Sequence, residues 1–206
     1  MVPSSSLRVA FFGLGAVGSS LLICLAELAE RDGVDLRCVV VVLNTDLAHD
    51  ALFHAERLFD RIDFVGVEDF APVFALAGDH AERLAGVELL VNAANPIFNR
   101  PMLELGLRLG AHTVDLASDM YDAETERTLT FAQYQLDHDF RATHRAALIN
   151  LGISPGVTNF LIGLRLHQLH AARRRDREIE SVDLFLLEDI DADEIVFSWS
   201  PLVALV

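Results

Sequence analysis

Leu7-Arg-Val-Ala-Phe-Phe-Gly-Leu-Gly-Ala-Val-Gly18 decides the fold. Residues 7–12 are a short apolar run containing Val and Phe, which suits a strand buried on both faces. Three glycines follow, and then Ser19-Ser-Leu-Leu-Ile-Cys-Leu-Ala-Glu-Leu-Ala-Glu30, whose composition favours helix. The pattern is strand, tight turn, helix. Gly13 permits the turn, Gly15 lets the backbone approach a pyrophosphate with no Cβ in the way, and Gly18 lets the helix lie close on the strand. Backbone N–H groups of the first helical turn, with Ala16 and Val17 among them, then face the phosphates. The same glycines could instead do no more than pack a helix on a sheet.

Outward from this stretch, residues 33–35 turn the chain into Leu36-Arg-Cys-Val-Val-Val-Val-Leu43, a second buried strand. A dinucleotide fold meets the adenosine ribose at the end of that strand. An acidic side chain there favours NAD, and a small polar residue with a nearby arginine favours NADP. The chain offers Asn44-Thr-Asp46, with Asp46 at 46 − 18 = 28 residues past the last glycine, against a usual spacing of about 20. NADP or NAD is therefore the expected cofactor, with the choice open. Asp46 reads equally as an N-cap of a helix over 47–61, and the two roles are compatible.

Residues 71–77 are expected as a third strand ended by Gly78-Asp79, which places Asp79 among the cofactor-contacting candidates. A short helix at 81–84 leads to a fourth strand over 87–94. The alternation of strands and helices predicts a parallel sheet with right-handed crossovers. Asn92-Ala-Ala-Asn-Pro96 then falls at a carboxyl end beside the glycine turn, where such sheets bind ligands. Ala93 and Ala94 make room for a cofactor there, and Asn92 or Asn95 can hydrogen-bond it. The alternative is a loop that caps the helix over 100–109.

A fifth strand over 110–115 runs into Leu116-Ala-Ser-Asp-Met-Tyr-Asp122, where Tyr121 and Asp119 are the candidates to touch substrate or exchange a proton. A long polar helix is expected over 123–145 and a sixth strand over 147–150. Residues 152–159 open another helix, over 160–172, whose start has caps of its own and could also meet a carboxylate. The organisation expected is a Rossmann-type doubly wound α/β sheet over 1–150, followed over 151–206 by the beginning of an α+β substrate domain.

Composition sets the outer limits. The chain has 206 residues, 52% of them hydrophobic, enough for a substantial core. A net charge of −15 argues against a nucleic-acid partner. No apolar run reaches the roughly 18 residues of a membrane span, and Met-Val-Pro-Ser-Ser-Ser has no signal-peptide pattern; a soluble cytoplasmic protein is expected. All sixteen basic residues are arginine, so no lysine base or Schiff base is available. Cys24 and Cys38 read as small buried apolar residues. Eight histidines include Asp137-His-Asp139 and His167-x-x-His170, which lack the third ligand of a catalytic zinc site, so no metal is expected.

The order of motifs resembles the saccharopine dehydrogenase (saccharopine reductase-like) family, related to carboxynorspermidine dehydrogenase and homospermidine synthase. The resemblance is carried by the glycine turn, Leu89-Leu-Val-Asn-Ala-Ala-Asn-Pro-Ile-Phe-Asn-Arg-Pro101, Gly110-Ala-His-Thr-Val-Asp-Leu-Ala117, Gly152-Ile-Ser-Pro-Gly156 and Ser198-Trp-Ser-Pro201. It implies an NAD(P)-dependent oxidoreductase acting on a C–N bond, through an imine reduced by hydride, in an amino-acid or polyamine-like substrate. A homodimer or other oligomer goes with it. Ser154 stands where the family commonly has Asp, which puts the particular amino acid in question. Members also continue beyond the Trp-Ser-Pro motif, so a fragment or split protein is expected. The rival readings are a dinucleotide-binding module without turnover and an assembly subunit completed by another chain.

Overall fold

The computed structural model describes residues 5–116, 133–152 and 156–171, the short strands 121–122 and 127–128, and positions 181 and 183. The chain divides after Gly152 into two compact units.

The first unit is built on a six-stranded sheet. Its strands are β1 (Ser6–Phe12), β2 (Asp35–Val42), β3 (Ile62–Gly66), β4 (Leu89–Asn92), β5 (His112–Asp115) and, after a small hairpin of β6 (Tyr121–Asp122) and β7 (Arg127–Thr128), β8 (Ala147–Leu148). The sheet order is β3-β2-β1-β4-β5-β8 and every pairing in it is parallel. This is the doubly wound Rossmann-like arrangement, with the direction of strand addition reversing between β1 and β4.

Because side chains alternate across a strand, a core on both faces demands consecutive apolar residues. Val9, Phe11, Cys38, Val40 and Val42 pack on one face against Leu22, Ala26 and Ala29 of α1 (Ala16–Asp32). Ala10, Phe12, Val39 and Val41 pack on the other against Phe70, Val73, Met102 and Leu105. Phe11 and Phe12 are both fully buried, each contributing about 1.5–3 kcal/mol of transfer free energy. The four valines of β2 thus serve both layers, which holds the glycine turn on a rigid base.

Three local expectations are corrected. Residues 71–77 are not a strand: Ala71–Phe74 is a helical turn, α3, and the third strand is Ile62–Gly66. Pro72 lies in the first turn of α3, where its missing N–H costs nothing, and the Asp69 carboxylate accepts from the Ala71 N–H at 3.2 Å. The helix expected after β2 is split into α2 (Thr45–Ala51) and a 3₁₀ segment, Phe53–Arg61, and its cap is Asn44 rather than Asp46. The long helix over 123–145 is interrupted: β6 and β7 pair antiparallel, Tyr121 opposite Thr128, and helix appears at Asp137–Ala142. Thr128, in β7, has a branched side chain that disfavours helix. The two other short helices of the unit, α4 (His80–Arg83) and α5 (Asn99–Leu109), agree with the sequence reading within two residues.

In the second unit the described element is the helix Val157–Ala171, on which Val157, Phe160, Leu161 and Leu164 are exposed. Asn159 accepts the Gly156 N–H at 3.2 Å ahead of it. Ser154, Pro155 and the Ser-Trp-Ser-Pro stretch lie outside the described residues. Among those that are described, no helix is long and apolar enough to cross a membrane, and no group of three or more His, Cys, Asp and Glu is placed to hold a metal ion.

Candidate functional site

At the reversal of strand order, β1 ends between β2 and β4. Phe12 lies opposite Val41 on one side and Asn92 on the other. The Gly13 N–H donates to the Val41 carbonyl at 3.0 Å, and the Ala93 N–H donates to the Phe12 carbonyl at 2.9 Å. These bonds fix the turn at the carboxyl edge of the sheet.

The three glycines of the turn do different work. Gly13 has φ +83, and a Cβ on it would stand 2.9 Å from the Ala94 Cβ and 3.0 Å from the Ala93 carbonyl oxygen. A Cβ on Gly18 would stand 2.8 Å from the Gly13 oxygen and 3.0 Å from the Ala93 Cβ. Both glycines are therefore required by the close packing of turn, helix and β4 loop. Gly15 is required by neither packing nor conformation. Its φ of −77 and ψ of −164 are open to any residue, and nothing lies within 4 Å of where its Cβ would be. The missing side chain leaves open space over the start of α1.

What borders that space is main chain. Gly15 is the N-cap of α1, no side chain caps the helix, and its first turn carries no acid. The N–H groups of the first turn are left without intrahelical acceptors, at the positive end of a 17-residue helix. Ser19 and Ser20 turn their hydroxyls back onto the Ala16 carbonyl, at 3.2 and 2.8 Å, and so do not compete for these donors. Ala16 and Val17 follow in that first turn, with Val17 exposed. A cradle of free amides beside an open space is what a diphosphate needs.

The β4 loop forms the second wall. Asn92 is buried; its amide donates to the Asn99 Oδ1 at 2.6 Å and its own Oδ1 accepts from the Ala94 N–H at 3.1 Å. Asn95 Oδ1 accepts from the Ile97 N–H at 3.0 Å, and its carbonyl receives the Asn92 amide at 3.4 Å. Both asparagine side chains are thus engaged in shaping the loop that presses Ala93 and Ala94 against the glycines. At the end of β2, the Asn44 Oδ1 accepts from the Leu47 N–H at 3.1 Å. Asp46 is an exposed residue of the first turn of α2.

Asp79 is not brought to this edge. Its carboxylate pairs with Arg83 at 2.7 Å, and Arg83 also meets Asp63 at 2.9 Å while its carbonyl accepts from Arg8 at 2.8 Å. Arg8 and Asp63 stand near the starts of β1 and β3, so the whole cluster occupies the amino edge. The hydrogen bond from Arg83 holds the Asp79 carboxyl below its usual range. Placing Asp79 near the site followed from reading 71–77 as a strand; with a helical turn there, the chain is already returning to the other edge.

Tyr121 belongs to β6 by its backbone, but its side chain and the whole of Asp119 lie outside the described residues. A buried carboxylate that sequence reasoning passed over, Asp115 at the end of β5, receives the Gln133 amide at 3.0 Å and the Asn150 N–H at 2.7 Å. It clasps the end of β5 to the stretch that follows β8. Its only sequence signal is an acid at the end of the fifth strand. Of the cysteines, Cys38 is buried as expected, and burial pushes its thiol up to about 12. Cys24 is exposed, contrary to expectation, because it stands on the outer face of α1.

Solved structures of similar fold include apo saccharopine dehydrogenase (L-Glu forming) from Saccharomyces cerevisiae, with a TM-score of 0.58 at 14% identity over 81% of this chain and 32% of that one. Another is the WlbA (WbpB) dehydrogenase from Thermus thermophilus in complex with NAD and alpha-ketoglutarate, with a TM-score of 0.51 at 20% identity over 79% and 47% of the two chains. The chain therefore spans a third to a half of these structures, and at such identities the likeness is one of fold. No protein-family profile and no curated protein matches the sequence.

Proposed function

We propose that this chain binds a nicotinamide dinucleotide, NAD or NADP, at the glycine turn and belongs to an oxidoreductase acting on a C–N bond of an amino-acid or polyamine-like substrate. The observation that carries the nucleotide part is Gly15: its backbone and neighbours would accept a side chain, yet none is present and the space opens onto uncapped helix amides. A diphosphate seated there would accept hydrogen bonds from the first turn of α1, with Gly13 and Gly18 holding that turn against Ala93 and Ala94. The residues present therefore fit the group.

When bound, the nicotinamide supplies the hydride chemistry. The protein's part is placement: Asn92 and Asn95 set the β4 loop, and that loop closes the crevice in which the reacting ring would lie. Tyr121 and Asp119 are our candidates to hold or move a proton at the substrate nitrogen. The C–N assignment draws on the motif order and on saccharopine dehydrogenase standing among the proteins of like fold.

Isothermal calorimetry with NADH and NADPH tests the binding step, and the absence of heat with either defeats the proposal. Loss of nicotinamide absorbance on adding an oxo acid together with an amino acid or polyamine tests the C–N chemistry. Turnover of simple alcohols, without amine, would reassign the reaction.

A further inference from the structure

We infer that the far edge of the sheet holds a second small-molecule site, in the cleft between α5, the helix Asp137–Ala142 and β8, and that it takes a small aromatic acid carrying a hydroxyl or amino hydrogen. The inference is independent of the nucleotide site proposed above, which lies at the end of β1, with β4 and β5 standing between that strand and β8. The cavity has a volume of about 220 Å³. Leu103 of α5, Phe140 of the intervening helix and Ala147 of β8 are among its apolar walls. A water needs about 10–15 Å³ to enter such a space, so this one admits an organic molecule rather than a single bridging solvent.

Gln133, a polar residue of the lining, is short of a bond. It is 4% exposed, and its Nε2 donates to the Asp115 Oδ2 at 3.0 Å. A carboxylate only accepts, so the amide cannot be turned the other way round, and Oε1 is fixed as the unengaged end. That oxygen is closed off from bulk water and has no hydrogen-bond partner. A buried acceptor left unpaired weakens the fold, and an O–H or N–H donor brought in on an apolar body removes the deficit.

The opposite end supplies positive charge. Gln133 is tied to Asp115, the last residue of β5, whereas Arg145 gives its Nε hydrogen to the Gly110 carbonyl, ahead of the same strand. The two therefore stand at opposite ends of β5, which spans roughly 10 Å at about 3.3 Å per residue. Arg141 is paired with Asp137 at 2.8 Å. Arg145 meets no acid among the described residues and keeps its terminal nitrogens for a carboxylate. In a chain of net charge −15, this lining sets two arginines against one aspartate. Between the ends, Phe140 is buried and Tyr134 is exposed, two rings against which a flat ring packs.

Proton–nitrogen correlation spectra of the whole chain, titrated with p-hydroxyphenylpropionate, test the site, with phenylpropionate as the control lacking the donor and tyramine as the control lacking the acid. The hydroxyphenyl acid should move the Gln133 side-chain amide and the Ala147 backbone N–H, and each control should bind at least about fivefold more weakly. Ala147→Leu, which fills the space and leaves Gln133 on Asp115, should abolish these shifts. Arg145→Gln should weaken the acid and leave tyramine as it was. Gly15→Val should leave the titration unchanged, which separates this site from the nucleotide one. Dispersed spectra show that each variant is folded. No shift at Gln133 and Ala147, equal binding of the three compounds, or binding that Ala147→Leu and Arg145→Gln both leave intact overturns the site.

Discussion

Gly13 and Ala94 lie so close across the β1–β4 crevice that a Cβ on the glycine would stand 2.9 Å from that of the alanine. Strand ends eighty residues apart in sequence are thereby fitted to each other without slack.

The contrast between neighbouring glycines makes the first prediction. Gly13→Ala should destabilise the fold by about 1–3 kcal/mol in urea unfolding, from overpacking added to a φ of +83. Gly15→Ala should stay within about 1 kcal/mol of the parent, and Gly15→Val should abolish nucleotide heat in calorimetry while the chain still folds. Equal damage from both positions would mean that Gly15 is a packing residue after all.

Asn92 is nearly inaccessible and joins the Ala94 N–H to the Asn99 side chain. Replacing it by Leu strands both partners, each at about 1–3 kcal/mol. Chemical denaturation should show this loss, and nucleotide affinity should fall with it because the β4 loop is no longer held. Retained stability with lost affinity would instead assign the amide a direct contact with ligand.

The two thiols should separate cleanly. A disulfide reagent should modify exposed Cys24 in the native protein and reach Cys38 only after unfolding. Burial lifts the Cys38 thiol from 9.0 to about 12, so the folded state keeps its proton where the unfolded chain loses it. That contribution is whole below about pH 9 and is lost as pH rises towards 12. With no lysine and two tyrosines in the chain, this alkaline loss should be visible in melting curves and should flatten in Cys38→Ala.

Asp79→Asn should leave nucleotide binding unchanged, since the carboxylate is tied to Arg83 at the amino edge of the sheet. Acid melting is where its effect should be seen. Arg83 holds the folded-state carboxyl below its unfolded range, so the pair supports the fold above that range and ceases to as pH falls through the lowered value. A change in nucleotide affinity would place Asp79 nearer the site than its partners do.

What could be read in advance follows from which physical signals are local. The continuous apolar runs of β1 and β2 announce strands covered on both faces, and the glycine spacing locates the turn between them, because both depend on neighbours in sequence. The third strand is less legible: Pro72 fits a first helical turn better than a strand, while Ile62-Asp-Phe-Val-Gly66 is short and carries a single charge, and it is made a strand by pairing with β2. The cap at Asn44 was shifted to Asp46 since both residue types serve, and only the reach to the Leu47 N–H decides. The engagement of Asn92 with Asn99 could not be read at all. Nothing in a pair seven residues apart reveals that a helix will fold back over its own entry loop.

The dependence of the glycines on Ala93 and Ala94 also orders events during synthesis. A growing chain carries its full G-x-G-x-x-G fingerprint after eighteen residues, yet the wall that shapes the turn arrives with β4. Until residue 94 has cleared the ribosome the fingerprint is a pliable loop, and ligand competence should switch on abruptly at that chain length rather than accumulate from the first strand onward.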